Sequence, residues 1–309
     1  MLRPESGQVK TEVRLKLPRS VLAASGSLGW GDTLEGLVEA HRLGGFITPT
    51  LTLQPREGNP MPRTAEASAG FLHANGLPNP GLERFLSEHL PRLRALGCPI
   101  IVSLLGTTAS EWAELAEELS KAAGITALEL NLTPLPLLDA TRAEAPLPSE
   151  VEMHRQMLEA IQSVRKATSL PLIAKLPSVG MEIGYAAVTA QNAGADVVAI
   201  GQALPGVAVR LSARTLRFPG GVGGLSGPCM KPVALYQLWR VRRMSSLPIL
   251  ASGGIMTLED ALEFFLLGAE YVGIGVGCAI HPNLAVKLAD EIEAYLQSHQ
   301  ITSVQALRL

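Results

Sequence analysis

Nothing in this sequence suggests a protein held together by covalent or metal staples. Cysteine occurs three times, at Cys98, Cys229 and Cys278, an odd number with no C-x-x-C pair. Neither a disulfide framework nor a zinc site is implied, although a catalytic thiol stays open. The six histidines, His41, His73, His89, His154, His281 and His299, show no metal-ligand spacing, so no metal is expected. No apolar run reaches the roughly 18 residues that span a bilayer. The opening Met1-Leu2-Arg3-Pro4-Glu5-Ser6 lacks the apolar core of a signal peptide, and a cytoplasmic protein away from membranes is expected. Charge of one sign is missing too. Lys and Arg number 26 against 28 Asp and Glu, which leaves nothing in the global balance to draw the chain to nucleic acid. Aromatics are only 4% of residues, yet a hydrophobic content of 47% excludes disorder. The 309 residues suffice for two ordinary domains or for one (β/α)8 barrel with insertions. No repeat, low-complexity stretch or composition shift marks a boundary, so 1–309 reads as a single domain.

Eight short aliphatic or β-branched runs recur along the chain, at 21–24, 45–48, 100–104, 127–131, 172–175, 197–200, 249–251 and 271–274. Each is apolar on both faces, as parallel strands are when helices cover one side and a barrel interior fills the other. Amphipathic segments separate them, several opened by capping-box patterns: Asp32-x-x-Glu35, Thr108-x-x-Glu111, Ser149-x-x-Glu152 and Thr257-x-x-Asp260. Eight such alternations predict an α/β fold of the (β/α)8 TIM-barrel type. A doubly wound open sheet alternates in the same way and is the competing architecture. A pair of short polar strands around 11–17 is expected to plug the barrel bottom. The two longest irregular stretches, 49–80 and 201–228, follow strands 2 and 6 at the strand ends where barrel enzymes keep their active sites.

Chemistry-bearing residues gather at those same ends. Ser252-Gly253-Gly254 follows strand 7 and Gly273-Ile274-Gly275-Val276-Gly277 follows strand 8, an arrangement that presents backbone N–H groups to a phosphate. A third glycine cluster, 220–227, precedes a helix opening at Pro228. A dinucleotide fingerprint is not supported, because Cys278 stands where its third glycine belongs. Lys175 ends strand 5 after three apolar residues; if it points inward, it is a buried cation in need of an anionic or electron-rich partner. Asn131 ends strand 4, where its amide can donate and accept to a planar heterocycle or simply satisfy a turn. Glu129, two residues earlier on the same face, reads as a structural carboxylate. His73 lies in the long stretch after strand 2, whereas the other five histidines read as surface residues.

These residues closely resemble the class 1 dihydroorotate dehydrogenases. The resemblance is carried by Gln54-Pro55-Arg56-Glu57-Gly58-Asn59-Pro60-Met61-Pro62-Arg63, Gly76-Leu77-Pro78-Asn79-Pro80-Gly81 and Ala24-Ser25-Gly26. It is carried equally by Glu129-Leu130-Asn131, Ala174-Lys175-Leu176, Gly223-Gly224-Leu225-Ser226-Gly227-Pro228 and Gly253-Gly254-Ile255-Met256. Order and spacing agree from about Pro18 to Pro282. The resemblance implies a barrel holding FMN, oxidation of dihydroorotate to orotate in pyrimidine biosynthesis, and a homodimer. In the most similar sub-branch, it also implies a second subunit with an iron–sulfur cluster and FAD that passes electrons on. Carried over by position, the FMN site comprises Ser25 and Gly26 against the ring, Asn131 and Lys175 at its polar edge, and Gly227 along the ribityl chain. Gly253, Gly254, Gly275 and Val276 would hold the phosphate.

On the substrate side the chain departs from the family pattern. Where the family has Asn-x-Ser-Cys-Pro-Asn after strand 4, this chain has Asn131-Leu132-Thr133-Pro134-Leu135-Pro136, so proline replaces both the proton-abstracting thiol and a substrate-gripping asparagine. His73, Pro49, Gln202-Ala203, Ser103 and Val276 replace further polar residues of the pattern. Losing one buried partner of a polar substrate costs about 1–3 kcal/mol, so an intact dihydroorotate site is not expected. His73 and Thr133 are the remaining proton-transfer candidates, and His73, Asn131 and Gln202 the substrate-contact candidates. The leading expectation is an FMN oxidoreductase of altered or lost specificity for its small-molecule substrate. The alternatives are a non-catalytic paralogue serving as a structural or regulatory subunit, and an active dihydroorotate dehydrogenase with a different base.

Overall fold

The structure is a computed structural model that describes residues 15–31, 34, 37–142 and 144–309. Eight parallel strands close on themselves: β1 Val21–Ala23, β2 Gly45–Ile47, β3 Ile100–Leu104, β4 Ile125–Asn131, β5 Leu172–Lys175, β6 Val197–Ile200, β7 Ile249–Ser252 and β8 Tyr271–Ile274. β1 bonds to both β8 and β2, and this closure excludes the open doubly wound sheet. Helices such as Ala109–Lys121, Glu150–Ala167 and Lys231–Met244 pack around the outside.

Alternation along each strand builds the interior. Leu22, Ile47, Ile101, Ala127, Ile173, Val197, Ala199 and Leu250 point inward and form one buried cluster, while their neighbours in sequence pack outward under the helices. Two residues further along, toward the C-terminal ends, four inward positions turn polar, Ser103, Glu129, Lys175 and Ser252, and in β4 Asn131 follows two residues beyond Glu129. The barrel thus has an apolar floor and a polar mouth.

Of the expected N-terminal strand pair, residues 11–14 lie outside the described residues, and the described remainder, 15–17, is not strand. Leu15 nevertheless fills the barrel bottom, 1% exposed among the inward side chains, and its carbonyl accepts a hydrogen bond from the Tyr271 hydroxyl at 3.0 Å. The Asp32-x-x-Glu35 pattern also falls outside the described residues. Thr257 and Asp260 form a complete reciprocal capping box. Thr108 and Ser149 accept the expected N–H bonds, but Glu111 turns to Thr107, and Glu152 to Arg155 and Gln156.

The stretches expected to be irregular after β2 and β6 are instead ordered. They interleave into a four-stranded antiparallel sheet, Thr64–Ala67, Gly70–His73, Val222–Ser226 and Leu204–Val207 in that order, which roofs the barrel mouth. Residues about 150 apart pair across it, Gly224 with His73. Local periodicity in short, glycine-interrupted segments carries no record of such pairing. Among the described residues, no helix is long and apolar enough to cross a membrane.

Replacing Leu15 by Ala empties the plug beneath the apolar floor and is expected to cost about 2–5 kcal/mol in urea unfolding. A loss below about 1 kcal/mol would show that Leu15 does not plug the barrel.

Candidate functional site

Between the polar mouth and the antiparallel roof lies a cavity of about 440 Å³, within the range of about 300–1,000 Å³ typical of small-molecule sites. Its wall brings together Ser25, Gly26, His73, Asn131, Thr133, Lys175, Gln202, Gly227, Gly253, Gly254, Gly275 and Val276. These come from six barrel-strand ends and both roofing segments.

One flank is backbone. The N–H groups of Gly253, Gly254 and Gly275 donate to no protein acceptor among the described residues, which leaves them free for an anion. Close packing explains the glycine at 201. Its φ is +86°, and a Cβ there would lie 1.8 Å from the Ser252 carbonyl oxygen, so the chain leaving β6 can pass this close to the end of β7 only with glycine at this point.

Charge lies at the base of this cavity, in the polar mouth of the barrel. Lys175 is the neighbour of Asn131 in the β4–β5 register, and its Nζ sits 3.5 Å from Glu129 Oε1, one inward position lower. Glu129 is 1% exposed, and the same Oε1 makes no closer hydrogen bond, so the lysine is what compensates its charge. Beside this pair runs a neutral chain: Ser103 Oγ lies 3.2 Å from Thr50 Oγ1, which accepts from Asn131 Nδ2 at 3.1 Å, while Asn131 Oδ1 accepts from the Thr133 N–H at 3.2 Å. This fixes the Asn131 amide and leaves it one N–H and one lone pair. The Thr133 hydroxyl is buried without a partner.

The roof supplies His73. Its Nε2 is 3.2 Å from Ser226 Oγ on the adjacent roof strand, and Gly224 opposite gives the ring room, since a Cβ there would fall 3.1 Å from His73 Cε1. Desolvation, then the positive charge of Lys175, lower the His73 pKa below its ordinary value, so the imidazole is neutral at neutral pH. The sequence carries no sign that Ser226 partners His73; only the roof pairing brings the two together.

None of the cysteines lines this cavity. Burial pushes the Cys98 and Cys278 thiols up to about 11, the opposite of an activated nucleophile. Pro134 faces a second cavity of about 540 Å³ behind the loop after β4, which shares Asn131, Thr133 and Pro136 with the first. Two histidines expected at the surface are partly covered instead: His89 packs 5.3 Å from Trp30, and His154 Nδ1 lies 2.7 Å from Thr189 Oγ1. No cluster of three or more metal-ligating side chains exists among the described residues.

A closed (β/α)8 barrel with a free-amide flank and a charged pair at the C-terminal strand ends defines the protein as a (β/α)8 barrel with a small-molecule-sized cavity at its mouth. The family model for dihydroorotate dehydrogenase matches residues 9–296. A relative from Endomicrobium trichonymphae, "Dihydroorotate dehydrogenase B (NAD(+)), catalytic subunit", is 38% identical over 293 residues, 95% of this chain and 93% of its own length. Proteins of the same name from Geobacter sp. (strain M21) and Desulforudis audaxviator are 35% and 37% identical, covering 99% and 97% of this chain and 98% and 97% of their own. The chain belongs to the dihydroorotate dehydrogenase family.

Removing one member of the charged pair strands the other charge. Lys175→Met is expected to cost up to about 3–5 kcal/mol, and Lys175→Met combined with Glu129→Gln to recover most of it. Urea unfolding of the two singles and the double decides this; additive losses would show that the pair is not coupled.

Proposed function

We propose that this chain is an FMN-dependent oxidoreductase whose flavin half follows its family and whose substrate half has been rewritten away from dihydroorotate. The observation that carries this reading is one cavity with two unlike sides. The free N–H groups of Gly253, Gly254 and Gly275 and the Lys175 cation suit a phosphorylated ring cofactor, while the position of the family's thiol is Pro134, turned to a different cavity.

FMN fits this donor set. The glycine N–H groups and the backbone at Val276 would take the phosphate, Gly227 would lie along the ribityl chain, and Ser25 and Gly26 would lie against the ring. Asn131 and Lys175 would meet its polar edge. When bound, FMN supplies a two-electron acceptor for a hydride leaving the substrate. Lys175 offers a fixed positive charge where a reduced ring becomes negative, and Glu129 holds that lysine in place. His73, neutral and facing the cavity, takes the proton that must leave the substrate with the hydride, and Ser226 at Nε2 orients its ring. Thr133, whose hydroxyl is spare, contacts substrate together with Asn131 and Gln202. Because the relatives are named catalytic subunits, we also propose that this chain works beside a second subunit; that this subunit carries an iron–sulfur cluster and FAD, and that the chain is a homodimer, is what the family resemblance implies.

Protein incubated with FMN and freed of excess by gel filtration is expected to keep the visible flavin band. Val276→Asp, which sets a negative charge beside the Gly275 N–H, is expected to fold normally and to bind FMN at least about tenfold more weakly. Colourless wild-type protein would refute the reading, and an unchanged affinity in the variant would refute the phosphate placement.

A further inference from the structure

The proposed function leaves the substrate undefined, and the charges and hydrogen-bonding groups of the same cavity narrow it. Among the described residues that line it, the charged side chains are Lys175 and Asp139. Lys175 is spent on Glu129 at 3.5 Å, and Asp139 is itself an anion, held at the rim by Arg56 at 2.8 Å. His73 sits against Lys175's field and contributes no cation. An incoming carboxylate would therefore meet one matched cation and one further anion, and a buried carboxylate needs a partner of its own.

The neutral groups, by contrast, have capacity left. Thr133 Oγ1 is buried without a partner, Asn131 retains one N–H and one lone pair, and Gln202 lines the cavity. Pro49 after β2 and Pro136 after β4 carry no N–H and add no bond to a carboxylate oxygen, while the N–H groups of Asn75, Gly76 and Leu77 on the same wall are neutral donors that a ring carbonyl can take. Two side-chain amides, each with a donor and an acceptor, match the alternating N–H and C=O edge of a cyclic amide.

We infer that the site takes an uncharged heterocycle with cyclic-amide edges, and discriminates against the same ring bearing a carboxylate. This rests on the substrate cavity lying against a bound flavin, as proposed above, but the preference itself is a property of the protein's own side chains. Pyrimidine rings provide matched probes, since uracil is orotate without its carboxylate.

Both probes are titrated into the FMN-loaded protein, with perturbation of the visible flavin band as the readout, and calorimetrically into the protein as purified. Uracil is expected to bind at least about tenfold more tightly than orotate in both formats. Pro49→Lys, which places an unmatched cation on the cavity wall, is expected to shift the ratio at least about tenfold toward orotate without loss of the flavin band. Orotate binding as tightly as uracil, or neither probe binding, overturns the inference. Protein that prefers uracil calorimetrically but takes up no FMN keeps the inference and overturns the flavin reading. Protein that takes up FMN and prefers orotate does the reverse.

Discussion

Lys175 and Glu129 meet inside the barrel because two adjacent parallel strands carry them inward at neighbouring levels, Lys175 beside Asn131 and Glu129 one step below. Below them the interior is aliphatic, and above them is a cavity roofed by the loops after β2 and β6. A carboxylate that is 1% exposed is sustained only by a fixed counter-charge, so the lysine is held in place rather than free to follow a ligand. That constraint governs the rest of the site. A positive charge is fixed at the mouth, His73 is held neutral across the cavity, and among the described residues lining it no other side chain carries a positive charge.

The site is asymmetric for a related reason. Its glycine flank consists of backbone, and backbone donors survive substitution as long as the turns keep their shape; Gly201, with φ +86° and Ser252 against it, shows how little freedom those turns have. The opposite flank consists of side chains on the loop after β4, and there Thr133, Pro134 and Pro136 can change what is bound without disturbing the barrel. Family membership and altered specificity are thus compatible, since the shared elements are those that also hold the fold together.

The barrel was legible in the sequence because its signals are local. Runs such as 100–104 and 172–175 coincide with β3 and β5, since apolar residues on both faces over four or five positions are a property of the run itself. The place of Lys175 at the end of its run was legible for the same reason, whereas its inward direction came only with the register that sets it beside Asn131 and above Glu129. The roof was not, because Gly70–His73 and Val222–Ser226 are short and broken by glycine, and their hydrogen bonds join segments about 150 residues apart. With the roof went the partnership of His73 and Ser226, and only the fold could show that Lys175 is already matched by Glu129.

The central claim is that a flavin-binding half persists beside a substrate half that no longer serves dihydroorotate. Anaerobic addition of dihydroorotate to the FMN-loaded protein tests it most directly, with the visible flavin band as the readout. The band is expected to persist through an excess of dihydroorotate and to bleach with dithionite. Rapid bleaching by dihydroorotate itself would contradict the account.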